Sequence, residues 1–108
     1  MEYTAKTPEP LVILMAEDDP DDALLATEAL EESRVINTLK VVGDGAEALD
    51  YLCRRGSYAE PGAAPRPGLV LLDLNMPRMD GREVLRVIKE TEELRRIPVV
   101  VLTTSRAE

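Results

Sequence analysis

Three short apolar runs in this chain each break off onto polar or acidic residues, and that repeated ending constrains the fold more than any other feature. "LVILMA" (residues 11–16) runs into "EDD", "LVLL" (69–72) runs into Asp73, and "IPVVVL" (97–102) runs into "TT". None of the three alternates apolar with polar residues. Each reads as a strand covered on both faces, the pattern of a parallel sheet lying between helices. A shorter strand is expected over residues 39–42, where Lys40 marks a more exposed position.

Helical stretches separate these runs, over about residues 20–33, 45–55 and 81–94. Leu49, Leu52 and Cys53 stand at i, i+3 and i+4 in the second, which predicts a core place for Cys53; Val84, Leu85 and Ile88 share a face of the third. An aspartate precedes each helix, with an acid three residues later: Asp19 with Asp22, Asp44 with Glu47, Asp80 with Glu83. A carboxylate there accepts from unpaired helix N–H groups and suits the helix dipole, and the last two pairs fit a capping box. Pro20 sits where a first-turn proline loses nothing. Residues 55–68, with "EPGAAPRPG", read as a longish loop. Residues 1–9 read as an irregular leader and 10–108 as one domain. Alternating strands and helices predict an α/β domain, a doubly wound parallel sheet with right-handed crossovers.

Composition removes several functions. The 108 residues include no histidine, which excludes Ser-His triads, histidine metal ligands and a phosphohistidine on this chain. A net charge of −8 without a basic cluster argues against direct nucleic-acid binding. With 3% aromatic residues and no Trp or Phe, stacking platforms for bases or flavins are scarce. No apolar run approaches the roughly 20 residues of a membrane span, and the first residues lack a signal-peptide pattern. One cysteine, Cys53, cannot close an internal disulfide. These features predict a cytoplasmic protein away from membranes.

In open parallel sheets, ligands bind beyond the carboxyl ends of the strands. There the first strand delivers Glu17, Asp18 and Asp19, the third Asp73 and Asn75, and the fourth Thr103 and Thr104. Taken singly these are ordinary: Asp19 reads as a cap, Asp21 and Asp22 as surface acids, Thr103 as a strand-end residue. The joint pattern is not ordinary, with Asp18, Asp73 and Thr103 spaced 55 and 30 residues apart. Carboxylates brought together in a partly desolvated site repel by several kcal/mol per pair. A divalent oxygen-seeking cation offsets that, and Mg²⁺ fits a site of carboxylates, one carbonyl and waters.

The blocks "ILMAEDDP", "GDGAEALDYL", "LVLLDLNMPRMDGREVL" and "RIPVVVLTTS" together resemble the receiver domain of two-component response regulators, over residues 10–106. The "LLDLNMP", "DGREVL" and "IPVVVLTTS" blocks, with the Pro-rich loop, are most similar to small single-domain regulators paired with phytochrome-type histidine kinases. The resemblance implies strand order 2-1-3-4-5 and makes Asp73 the phosphoacceptor. It implies that Asp18 binds Mg²⁺ directly, Glu17 through water and Asn75 through its backbone carbonyl, and that Thr103 hydrogen-bonds the phosphoryl group as the switch. The donor histidine then belongs to a partner kinase.

The family's fifth strand with its phosphate-binding lysine, and the helices flanking it, have no counterpart in residues 1–108. The expectation is a fragment of a longer protein, or failing that an edge covered by a partner such as a second copy; "VVVLT" is a poor open edge. That lysine's positive charge on the phosphoryl group is absent from residues 1–108, which bears on switching and not on Mg²⁺ binding. Other readings are a degenerate receiver acting only as a binding module, a flavodoxin-like flavin binder and a Mg²⁺-dependent phosphohydrolase. A flavin phosphate would be repelled by the acids after the first strand. The hydrolase needs a second acid two residues after the nucleophile, where this chain has Asn75.

Overall fold

From Ile13 to Ala16 every side chain of β1 (Leu11–Ala16) is buried, which requires a strand with neighbours on each edge and cover on both faces. The computed structural model describes residues 10–76 and 79–102, and in it β1 is an inner strand of a parallel four-stranded sheet ordered β2-β1-β3-β4. The other elements are α1 (Pro20–Glu32), β2 (Asn37–Val42), α2 (Gly45–Cys53), a short 3-10 turn (Gly56–Tyr58), β3 (Leu69–Asp73), α3 (Gly81–Glu90) and β4 (Val99–Leu102). The expected α/β class and doubly wound order are both present. The leader, residues 1–9, and Thr103 lie outside the described residues.

Leu14, Ala16, Val70 and Leu72 share one core with Leu49 and Leu52 of α2 and Val84 and Ile88 of α3. Strand alternation sends the buried Ile13 and Met15 to the opposite face. Right-handed crossovers place α1 there. That helix buries no residue fully, and Leu24 and Leu25 are exposed.

Several boundaries differ from expectation for local reasons. β2 begins at Asn37 rather than Leu39, because Leu11 pairs with Asn37 whatever the side chains there. α3 stops at Glu90: Thr91 is extended and its hydroxyl donates to the Val87 carbonyl at 2.7 Å. The next residues form turns that return Leu94 and Ile97 to the core. β4 starts only after Pro98, which has no N–H to give the ladder but accepts from Val70 N–H at 3.0 Å. Cys53, expected in the core, is exposed at the last position of α2, where the outgoing chain no longer covers it. Asp19, Asp44 and Asp80 all cap their helices. The reciprocal half of the capping box is altered: Glu47 accepts from Gly43, and Glu83 is paired with Arg86.

The loop after α2 is tied to that helix rather than loose. Tyr51 donates to the Pro65 carbonyl at 2.8 Å, Arg54 to Ala64 at 3.1 Å, and Arg66 to Leu52 at 2.9 Å. Tyr58 packs edge-on against Tyr51 and donates to Glu47 at 2.7 Å, and Lys40 of β2 lies 5.4 Å from the Tyr58 ring centre. Burial and the Glu47 bond push the Tyr58 hydroxyl up to about 12, so it remains a donor at any physiological pH.

The two sheet faces differ enough to be told apart by mutation. Leu14→Ala, at 0% exposure, should cost roughly 2–5 kcal/mol in urea unfolding. Leu24→Ala on α1, at 56% exposure, should stay within about 0.5 kcal/mol of wild type.

Candidate metal centre

β1 and β3 are adjacent and parallel, with Ala16 paired to Leu72, so the residues that follow these partners emerge side by side. Glu17 is held at the end of β1 by its backbone N–H, which donates to the Val42 carbonyl of β2 at 3.0 Å. Asp73 is the last residue of β3 rather than the first residue beyond it, and is fully buried. Its position comes from the strand register, with Leu102 of β4 as its partner on the other side. Asp18 is half-buried in the chain between β1 and α1.

Glu17, Asp18 and Asp73 each offer a carboxylate oxygen, and these oxygens lie within 4.8 Å of one another. The sequence-predicted convergence is therefore present for these three residues. Asn75 is exposed, and its backbone N–H donates to Asp73 Oδ1 at 3.0 Å, fixing one oxygen of that carboxylate. Asp19 stands apart in role: it caps α1 by accepting from Asp21 and Asp22, and its own N–H donates to Glu17 Oε2 at 3.1 Å. Thr103 lies outside the described residues, so the fourth-strand contribution rests on the sequence.

Burial pushes the Glu17 carboxyl up to about 7, against the opposing bond from the Asp19 N–H; a hydrogen bond with Asp73 and the negative charges of Asp73 and Asp22 push the same way. Glu17 is thus protonated in part near neutrality when no cation is present. The donor set is all oxygen, is mostly buried and accumulates negative charge. A divalent hard cation satisfies each of those conditions, since it relieves the repulsion and needs oxygen ligands.

Two glycines bear on the site that sequence reasoning treated only as helix starts. A Cβ on Gly81 would stand 2.3 Å from the Asp73 carbonyl oxygen, and one on Gly45 would stand 2.0 Å from that of Met79. Close approach across the fold leaves no periodic signal in a sequence.

Residues 13–108 match the family of response regulator receiver domains. This chain belongs to that family. It is 48% identical over 99 residues to Response regulator Rcp1 of Synechocystis sp., which covers 92% of this chain and 65% of Rcp1. The chain thus spans just under two thirds of that relative's length. Among solved structures, the phosphorylated cyanobacterial phytochrome response regulator RcpA superposes with a TM-score of 0.82 at 49% identity, covering 90% of this chain and 67% of that one. The Mn(2+)-bound form of response regulator Rcp1 gives 0.83 at 48% identity, covering 92% and 69%. As a receiver, the chain is a signalling domain with an acidic cluster able to hold a divalent ion.

The raised Glu17 value has a defined effect on stability. Its ordinary value is 4.5, so between there and about 7 the native receiver keeps a proton that the unfolded chain has released. That contribution is complete below pH 4.5 and is lost as pH rises through about 7. In EDTA, Glu17→Gln lacks this loss. Its unfolding free energy should therefore gain on wild type by on the order of 3 kcal/mol between pH 4.5 and 8, read from urea titrations at each pH.

Proposed function

We propose that this receiver accepts a phosphoryl group on Asp73 from the phosphohistidine of a separate sensor kinase in a Mg²⁺-dependent reaction. The observation that carries the reading is the burial of Asp73 at the end of β3, in one cluster with Glu17 and Asp18. A carboxylate oxygen of Asp73 attacks phosphorus as the P–N bond to the kinase imidazole breaks. The product is an acyl phosphate on Asp73, and the imidazole leaves after taking up a proton. The chain's own lack of histidine agrees with a donor on another molecule.

In this reading Asp18 and Asp73 hold the cation directly, Glu17 holds it through water, and the Asn75 backbone carbonyl completes the protein ligands. When bound, Mg²⁺ supplies positive charge that neutralises the phosphoryl oxygens and the clustered carboxylates. Glu17 gives up its proton to join the site. The Asn75 N–H keeps one Asp73 oxygen oriented, so that the carboxylate does not rotate freely. Thr103 hydrogen-bonds a phosphoryl oxygen once the group has arrived. Asn75 cannot transfer protons, so the site has no general acid two residues after the nucleophile and is not expected to turn over phosphate esters.

Relatives named as phytochrome response regulators support a phytochrome-type kinase as the partner. The place proposed for it is the cytoplasm, beside such a kinase; among the described residues no helix is long and apolar enough to cross a membrane.

Intact mass after incubation with acetyl phosphate and Mg²⁺ tests the proposal. One phosphoryl adduct per chain is expected, stable in acid, absent without Mg²⁺ and absent from Asp73→Asn. By calorimetry, Asp18→Asn should weaken Mg²⁺ binding by about tenfold or more, because one directly placed charge is removed. An adduct that survives in Asp73→Asn would refute the assignment.

A further inference from the structure

Gly45 is the first residue of α2 and lies against the loop that leaves Asp73. A Cβ there would stand 2.0 Å from the Met79 carbonyl oxygen and 2.9 Å from its carbonyl carbon. Both are backbone atoms, so no change of rotamer relieves the contact. Carbon and carbonyl oxygen normally approach no closer than about 3.3 Å, so helix or loop would have to retreat by more than about 1 Å.

The ends of that loop are pinned. Gly81 N–H donates to the Leu74 carbonyl at 3.0 Å, and the Cα of Leu74 would lie only 2.7 Å from a Cβ on Gly81. Asp80 is engaged as the cap of α3, accepting from Arg82 and Glu83 N–H. A displacement of Met79 is therefore not absorbed at Leu74 or at the start of α3. The Asn75 amide, which orients the Asp73 carboxylate, follows directly on Leu74 and is the next group toward Met79 to feel it.

We infer that Gly45 is a positioning residue for the phosphoacceptor site: the bare contact of α2 with the Met79 carbonyl sets the loop that orients Asp73 and presents the Asn75 carbonyl. The inference rests on the phosphoacceptor reading above. Gly43 provides a control in the same turn, since a Cβ there meets nothing within 4 Å. Alanine is the better helix former, so a loss in Gly45→Ala does not arise from a weakened α2.

The experiment compares wild type, Gly43→Ala and Gly45→Ala in the full chain. It measures amide hydrogen exchange without metal, Mg²⁺ affinity by calorimetry and the rate of phosphorylation by acetyl phosphate. Gly43→Ala should match wild type in all three. Gly45→Ala should exchange the Asn75 amide faster without metal, bind Mg²⁺ more weakly, and be phosphorylated at least about tenfold more slowly, since a misplacement near 1 Å can cost on the order of 10²-fold. Gly45→Ala indistinguishable from Gly43→Ala overturns the inference and leaves the phosphoacceptor reading standing. A wild type that neither binds Mg²⁺ nor takes up a phosphoryl group overturns both. If Gly45→Ala does not fold, wild-type exchange decides, because coupling is reciprocal: Mg²⁺ should slow exchange at the Gly45 and Ala46 amides, and unchanged rates there overturn the inference.

Discussion

Repulsion among Glu17, Asp18 and Asp73 is the interaction on which the rest of this structure depends. Two of the three side chains are almost wholly buried, and their oxygens are within 4.8 Å of one another. Such a cluster survives only where the backbone leaves no easy escape. The sheet supplies that restraint, because Glu17 and Asp73 are fixed by ladder bonds of strands whose side chains are packed on both faces. A proton on Glu17 lessens the repulsion without a cation, and a cation removes the need for the proton. The acidic end of the sheet is thus an electrostatic tension held by the apolar middle.

α2 links that end of the sheet to the opposite one. Its first residue touches the loop beside the site, while its later turns carry Tyr51 and Leu52, to which the following loop is bonded. Tyr58 fastens the same loop to Glu47 in the first turn of the helix. Each of these bonds satisfies a polar group that the loop would otherwise leave to water, and each limits how α2 can shift against the sheet.

Much of this was legible in the sequence because it follows from local chemistry. Unalternating apolar runs specify buried parallel strands, and an aspartate before each helix specifies a cap. Convergence of Glu17, Asp18 and Asp73 followed from topology once the strands were identified. What escaped was decided by distant parts of the chain. Cys53 has the spacing of a core residue but lies exposed at the last position of α2. Leu94 reads as the end of α3 yet reaches the core from a turn after it, because Thr91 bonds back to Val87. The order of the Pro-rich loop depends on tyrosine and arginine contacts that have no periodicity. Neither does the room that Gly45 leaves for Met79.

The all-parallel sheet also dictates when the acidic site can exist during folding. Paired residues are 26, 56 and 29 positions apart along the chain, from Leu11 to Asn37, Ile13 to Leu69 and Val70 to Val99. No two strands can zip together through a hairpin, so each pairing must first close a long stretch of chain. Asp73 meets Glu17 and Asp18 only when the most distant of these closures, β1 with β3, is complete. The repulsion of Asp73 with Glu17 and Asp18 therefore arises only with the pairing that builds the sheet's centre. A cation that needs all three carboxylates finds its site only in the finished sheet, so its binding free energy adds to the stability of the native state.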